Sequence, residues 1–235
     1  MNRFLIFLFL LFNTSIFAQV NCAGREIRSS NGNLKHFRMV SNCPYEETDT
    51  TKLPQLILDN SKKYLLDRVG ASFYSRLQYY SCQVIDFKKY DEIKKTRPWI
   101  DKKSADKRVK YAIQYFFIVQ DSMRYYLSLV FDKDGKVISD HFLPDKKTNE
   151  NFAQLINSCS AIQIAEADSV FKGQAEEISL EYLPEENAFV WVVQKPVEYR
   201  DRTNIHPGIV INANTGKLVK RQTRKSVTAC ALPSW

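Results

Sequence analysis

The phrase that most constrains this chain lies towards its carboxyl end: Pro207-Gly208-Ile209-Val210-Ile211-Asn212-Ala213-Asn214-Thr215-Gly216-Lys217-Leu218-Val219. Two aliphatic runs flank Asn-Ala-Asn-Thr-Gly, and Asn and Gly tolerate the positive φ of a tight reversal, so the phrase predicts a β-hairpin. None of its side chains is placed to attack, ligate or protonate a substrate; it speaks of architecture rather than chemistry. The same order returns upstream in Val130-Phe131-Asp132-Lys133-Asp134-Gly135-Lys136-Val137-Ile138: apolar pair, acidic turn, Gly-Lys, aliphatic pair. Such repetition reads as two copies of one unit, against the alternative that two such hairpins arose independently.

At the amino end Arg3 precedes an unbroken apolar run at 4–12, and Asn13-Thr14-Ser15 separates it from Ile16-Phe17-Ala18. This is the form of a secretory signal peptide over residues 1–18, with cleavage expected after Ala18. The run falls well short of the roughly 20 residues that span a bilayer, so a permanent anchor is the weaker reading. Cys22 would suit a lipid anchor, but Gln19-Val20-Asn21 lacks the small residues that accompany one. Removing Arg3 takes the formal charge from +8 to +7, which implies weak contact with anionic surfaces; nucleic acid is no partner for an exported chain.

Export changes the meaning of Cys22, Cys43, Cys82, Cys159 and Cys230, because disulfides persist in oxidising compartments. Five is odd, so at least one thiol stays free or pairs between chains. Cys22 with Cys43 is the bridge favoured here, both lying in a polar segment with few other means of ordering. No Cys-x-x-Cys occurs, which argues against a zinc site or a redox pair.

Residues 19–52 mix Asn, Ser, Gly, Thr and charge without a period and read as an irregular lead-in. Pro54 then opens a helix whose apolar positions are Ile57, Leu58, Tyr64, Leu65 and Val69, with Gly70 as its stop. A strand follows at 79–87, while 73–77 suits helix or strand. Ten basic residues against Asp91, Glu92, Asp101 and Asp106 make 88–110 a basic insertion, read as a solvated connection in preference to a polyanion patch. Strands are predicted at 111–119 and 125–131, with Val137-Ile138 a third, and the apolar run at 115–119 suggests a central one. Asp132-Lys133-Asp134-Gly135 lacks the downstream Glu of a calcium loop and reads as a turn.

Past Pro144 the polar run 145–151 marks a boundary, and a second unit begins near Asn149. Ser160-Ala161-Ile162-Gln163 has the form of a capping box, with Ala161, Ile164, Ala167 and Phe171 along one helical face and Gly173 at its end. Alternation at 178–182, a Pro-Glu-Glu-Asn turn at 184–187 and the apolar run 189–193 predict two strands. Residues 195–206 read as a loop, and the chain closes in a basic tail that contains Cys230 and Trp235.

Helix, strand, turn, strand, loop and an Asn-Ala-Asn-Thr-Gly-Lys hairpin come in the order of PepSY domains, which residues 158–222 resemble. Ala161-Ile162-Gln163-Ile164-Ala165 resembles the family's Ala-x-x-x-Ala helix, 178–182 and 189–193 its middle strands, and 209–219 its hairpin, with Asn212 where the family usually has Asp. The first unit resembles the family more weakly, through its strands and its Asp-Gly-Lys hairpin. The resemblance implies an α+β fold of two similar units, each a helix packed on an antiparallel β-sheet. The division is a signal at 1–18, the lead-in 19–52, a first unit at 53–145 with its insertion near 88–110, a PepSY-like unit at 149–222 and a tail at 223–235.

The family inhibits, chaperones or holds partner proteins such as peptidases and has no catalytic residues to carry over. The expectation is therefore a secreted or periplasmic binding protein with another envelope or secreted protein as partner, without cofactor, metal or catalytic residue. An enzyme is disfavoured: the seven glycines are too scattered for a phosphate cradle or a Gly-x-Ser-x-Gly elbow, and His36, His141 and His206 form no ligand-spaced pair. The alternative is a carrier of an apolar ligand between helix and sheet, prompted by Phe73, Tyr79, Tyr115, Phe117, Tyr125 and Trp191. It requires a sizeable dry pocket there.

Overall fold

Residues four apart, Ile57, Ser61, Leu65, Val69 and Phe73, form the buried stripe of helix α1 (Gln55–Tyr74). In the computed structural model, residues 26–28, 30–31, 45–48, 50–86, 88, 92, 95, 108–120, 123–139, 141–195, 198–200 and 203–227 are described. The expected signal peptide, Cys22, Cys43, most of the basic insertion and the end of the tail lie outside them. Pro54 stands just before the helix, its carbonyl accepting the Ile57 amide at 2.9 Å. Gly70, the expected stop, does interrupt the helix, at φ 74°, ψ 167°, and the chain resumes for one turn that carries Phe73 into the core. The Arg68 carbonyl beside the break accepts the amide of Lys146 at 2.8 Å.

After α1 come β4 (Gln78–Ile85), β5 (Tyr111–Gln120) and β6 (Met123–Phe131), paired antiparallel in sequence order. Val137 contributes only an isolated bridge to Phe131 in place of the expected third strand. The lead-in, expected to be irregular, supplies β1 (Glu26–Arg28), β2 (Ser30–Asn31) and β3 (Tyr45–Thr48). Such short segments show no period of their own, and their pairing is imposed by the sheets they border. β3 runs antiparallel to β4, while β1 and β2 run parallel to a strand of each sheet.

Helix α2 (Ser158–Ala167) starts before the expected capping box. Its N-cap is Asn157, whose side chain accepts the Ser160 amide at 2.7 Å, so Ser160 is the donor and not the cap. Its buried face is Ser158, Ala161, Ile162 and Ala165; of the predicted set Ala161 lies on it, Ile164 and Ala167 are exposed, and Phe171 is buried beyond the end of the helix. Small residues let the helix lie close on the strands, while Ile164, 36% exposed, reaches sideways to the turn at Gly216. The helix stops at Ala167, ahead of Gly173, because Asp168 turns its carboxylate back onto the amides of Val170 and Phe171 at 3.0 and 2.9 Å.

Strands β7 (Glu177–Leu183) and β8 (Ala188–Gln194) follow, joined by a 3-10 turn, Pro184–Glu186, and by Asn187 in the left-handed region. Where a loop was expected at 195–206, the chain forms β9 (Glu198–Arg200) and the start of β10 (Thr203–Asn212). β11 (Leu218–Val227) closes the hairpin and runs into the expected tail. The result is α+β: a six-stranded sheet in the order β1-β7-β8-β10-β11 with β9 beside β10, and a five-stranded sheet in the order β2-β6-β5-β4-β3.

One continuous core joins both sheets and both helices. Phe117 of β5 and Phe189 of β8 meet at 5.7 Å between ring centroids; Phe73 touches Phe117 at 5.0 Å and Phe152 at 4.8 Å. Gln120, at the end of β5, donates to the Ser158 hydroxyl at 2.6 Å and accepts the Ser158 amide at 2.9 Å, so one sheet caps the other sheet's helix. Around Asn187 the Asp145 amide, the Asn149 side chain and Thr148 all bond within 3.0 Å. The polar run 145–151 is thereby fixed to the β7–β8 turn.

Candidate functional site

A position at the end of a sheet leaves one side of a strand's backbone without a partner. Among the described residues the longest such strand is β11, which pairs only with β10. Its sequence, Leu-Val-Lys-Arg-Gln-Thr-Arg-Lys-Ser-Val, holds four basic residues and no acidic one. Alternation puts Arg221 and Thr223 on the side of α2, and Lys220 and Arg224 on the other.

Three of these cations are tied to the body of the protein. Arg221 grips Asp168 at 2.6 Å, Arg224 reaches Glu181 at 2.9 Å, and Lys220 lies 3.4 Å from Glu185. The Arg221 guanidinium, helped by the two backbone amides, holds the Asp168 carboxyl below the ordinary carboxylate range. Glu185 is lowered too, first by its own backbone amide and then by Lys220. The ion pairs fix where the side chains of β11 lie and leave its outer backbone edge uncovered among the described residues.

Beside this edge, on the α2 side, a cleft of about 200 Å³ opens between the loop after α2 and the strands. Phe171, Ile209 and Pro207 give it apolar walls, Val170 stands at 63% exposure, and Arg221, Thr223 and Lys195 supply polar groups. The Lys195 ammonium rests over the Phe171 ring, 5.0 Å from its centroid. It makes no ion pair among the described residues.

The smaller sheet presents a different surface. Tyr80, 54% exposed, packs edge-on against Phe116 and Tyr126, and the Arg124 guanidinium stacks 4.7 Å above the Phe116 ring. The rings cross one another at steep angles and offer no flat platform.

The residues singled out in the sequence do not gather at one place. His141 hydrogen-bonds and stacks with Tyr64 of α1, whereas His206 sits in β10 opposite Arg224; His36 is outside the described residues. Asp132 of the calcium-like phrase accepts the Asp134 and Lys136 amides at 3.0 and 2.9 Å, so its carboxylate organises a turn. Cys82 is buried in β4, and Cys159 is disulfide-bonded. Phe73, Phe117, Tyr125 and Trp191 are core side chains at 3% exposure or less. They fill the space between helices and sheets where a carrier cavity was expected. Tyr115 is half-buried against Ser61, and Tyr79 is exposed.

Sequence reading missed Lys195 and the β11 edge. The available signal was the two basic pairs Lys220-Arg221 and Arg224-Lys225 in a stretch with no acidic residue, since charge is how an edge strand guards itself; reading 223–235 as a tail cut the strand short. No family model, curated protein or solved structure matches the chain.

Proposed function

We propose that this chain is a secreted or periplasmic, non-catalytic binding protein that holds an extended segment of a partner protein along β11. The observation that carries the reading is the ten-residue outer strand of the larger sheet, paired on one side only among the described residues. Strand addition there gains affinity from backbone hydrogen bonds and specificity from alternate side chains. The basic side chains would select an acidic segment and repel a second copy of the same strand.

The reading includes the PepSY-like assignment, with a partner such as a peptidase. It treats the protein as two similar units, α1 with β4–β6 and α2 with β7–β11, each a helix followed by an antiparallel meander. Support comes from the shared element order and from the matching turns at Asp132 and Asn212. The chain from Gln19 onward, used as cross-linking bait in the secreted and periplasmic fractions of its native cell, should capture a saturable partner. Hydrogen exchange on the purified complex should then slow at 218–227. Protection confined to the smaller sheet, or no partner at all, would overturn the proposal.

A further inference from the structure

The cleft beside β11 has a size, a shape and one charge without an ion-pair partner among the described residues, and together these specify what enters it. Its roughly 200 Å³ lies below the range of about 300 Å³ upward usual for small-molecule sites, and is room for one side chain. A strand added to β11 sends every second side chain to the α2 side, where Arg221 and Thr223 form the rim. Phe171 and Ile209 are buried apolar walls. Arg221 is already matched by Asp168, whereas Lys195 has no acidic partner among the described residues and rests over the Phe171 ring, a contact that leaves its ammonium able to take a carboxylate.

We infer that the cleft is a specificity pocket for one apolar side chain of about leucine size, and that Lys195 pairs with a carboxylate borne by the same extended segment. The inference rests on the docking reading above and names the chemistry of the partner: an extended peptide that combines a branched or aromatic residue with an Asp or Glu two positions away, on the same face. Burying an apolar group in walls already formed supplies most of the affinity. The charge pair supplies orientation and rate of encounter.

The test uses the chain from Gln19 onward and a blocked heptapeptide, acetyl-Thr-Glu-Thr-Leu-Thr-Glu-Thr-amide, which puts Leu and both Glu on one face of the added strand, titrated by calorimetry. Three altered peptides accompany it: Leu→Gly, all Glu→Gln, and one N-methylated at alternate backbone amides. Leu→Gly is expected to weaken binding about tenfold or more, and Glu→Gln about three- to tenfold. On the protein, Lys195→Gln should weaken the parent peptide but not the Gln peptide, and Lys195→Arg should restore binding. Val170→Asp, at a surface position, should weaken the parent peptide with unchanged thermal unfolding.

If the Leu→Gly peptide and the Lys195→Gln and Val170→Asp proteins all bind like the parents while N-methylation abolishes binding, the pocket is refuted and edge docking stands. If N-methylation has no effect while the cleft substitutions do, the pocket stands and edge docking falls. Absence of binding by every peptide overturns both.

Discussion

In the smaller sheet Asp132 accepts the amides of Asp134 and Lys136 and its own carbonyl takes the Gly135 amide at 3.2 Å; in the larger, Asn212 accepts those of Asn214 and Thr215 and its carbonyl takes the Gly216 amide at 2.9 Å. Both turn glycines have positive φ, 81° and 70°, and both lie against a helix: Gly135 against Ile57 and Asn60 of α1, Gly216 against Ile164 of α2. The two turns part company afterwards. Past Gly135 the chain makes one bridge at Val137 and leaves to become the connection across the core. Past Gly216 it continues as a ten-residue strand. The lesson is that the turn anchors a sheet to a helix, whereas the length of strand beyond it decides whether the sheet ends in a usable edge.

The strongest way to break the comparison is to ask whether its two halves can unfold apart. Phe117 touches Phe73 in α1 and Phe189 in the other sheet, so Phe117→Ala should cost about 3–5 kcal/mol. It should also lower the whole molecule in one urea transition. Near- and far-UV circular dichroism curves that superpose would show a single core; two separated transitions would show that the sheets fold independently.

The turns themselves can be ranked. A side chain in the left-handed region costs about 1–2 kcal/mol, and an added Cβ at Gly135 would come within 2.9 Å of Asn60 Nδ2, against 3.2 Å from Ile164 Cδ1 at Gly216. Asn60 also donates to the Gly135 carbonyl at 2.8 Å, a bond that crowding would disturb. Gly135→Ala should therefore destabilise more than Gly216→Ala, by about 1 kcal/mol in paired denaturation curves. Equal effects would mean that the helix contact is not shared in kind by the two turns.

A smaller effect follows from Tyr125, wholly buried, whose hydroxyl donates to the Phe142 carbonyl at 2.8 Å. Burial raises its pKa above the ordinary tyrosine value. Its contribution is therefore complete below the unfolded value of about 10 and is lost as pH rises towards the folded one. Tyr125→Phe should cost about 1 kcal/mol at neutral pH and reduce the fall in stability above about pH 10, measured as melting temperature against pH.

How much of this was legible depends on where the signal was local. The stripe of Ile57, Leu65 and Val69, the alternation at 178–182 and both Asx-Gly turns carry their information within a few residues, and they appear in the structure as α1, β7 and the turns. The early start of α2 was passed over because Ser160 to Gln163 offers a competing capping box, although Asn157 is itself a favoured cap residue and holds the Ser160 amide; the bond between Gln120 and Ser158, thirty-eight positions apart, is the part no local pattern announces. The strands β1 to β3 were hidden for the same reason, since their pairing belongs to the sheets they border. No sequence pattern placed Lys195 over Phe171, which requires the loop after α2 to fold back under Asp168.

Asp168 supplies the finest test, because it serves the edge and the fold at once. Its carboxylate is held below the ordinary range by Arg221, so its contribution to stability is present above the unfolded value of about 3.9 and disappears as pH falls through the folded one. Asp168→Asn should flatten the acid limb of the stability profile slightly, the pair being exposed and therefore weak. The same change frees the Arg221 guanidinium at the rim of the cleft. An acidic peptide should then bind more tightly, by about threefold at low salt, with the gain vanishing at high salt. Stability and affinity moving in opposite directions would separate a docking edge from an ion pair that serves the fold alone; if both fell together, Arg221 would be a structural tie and the smaller sheet would have to be examined as the binding face.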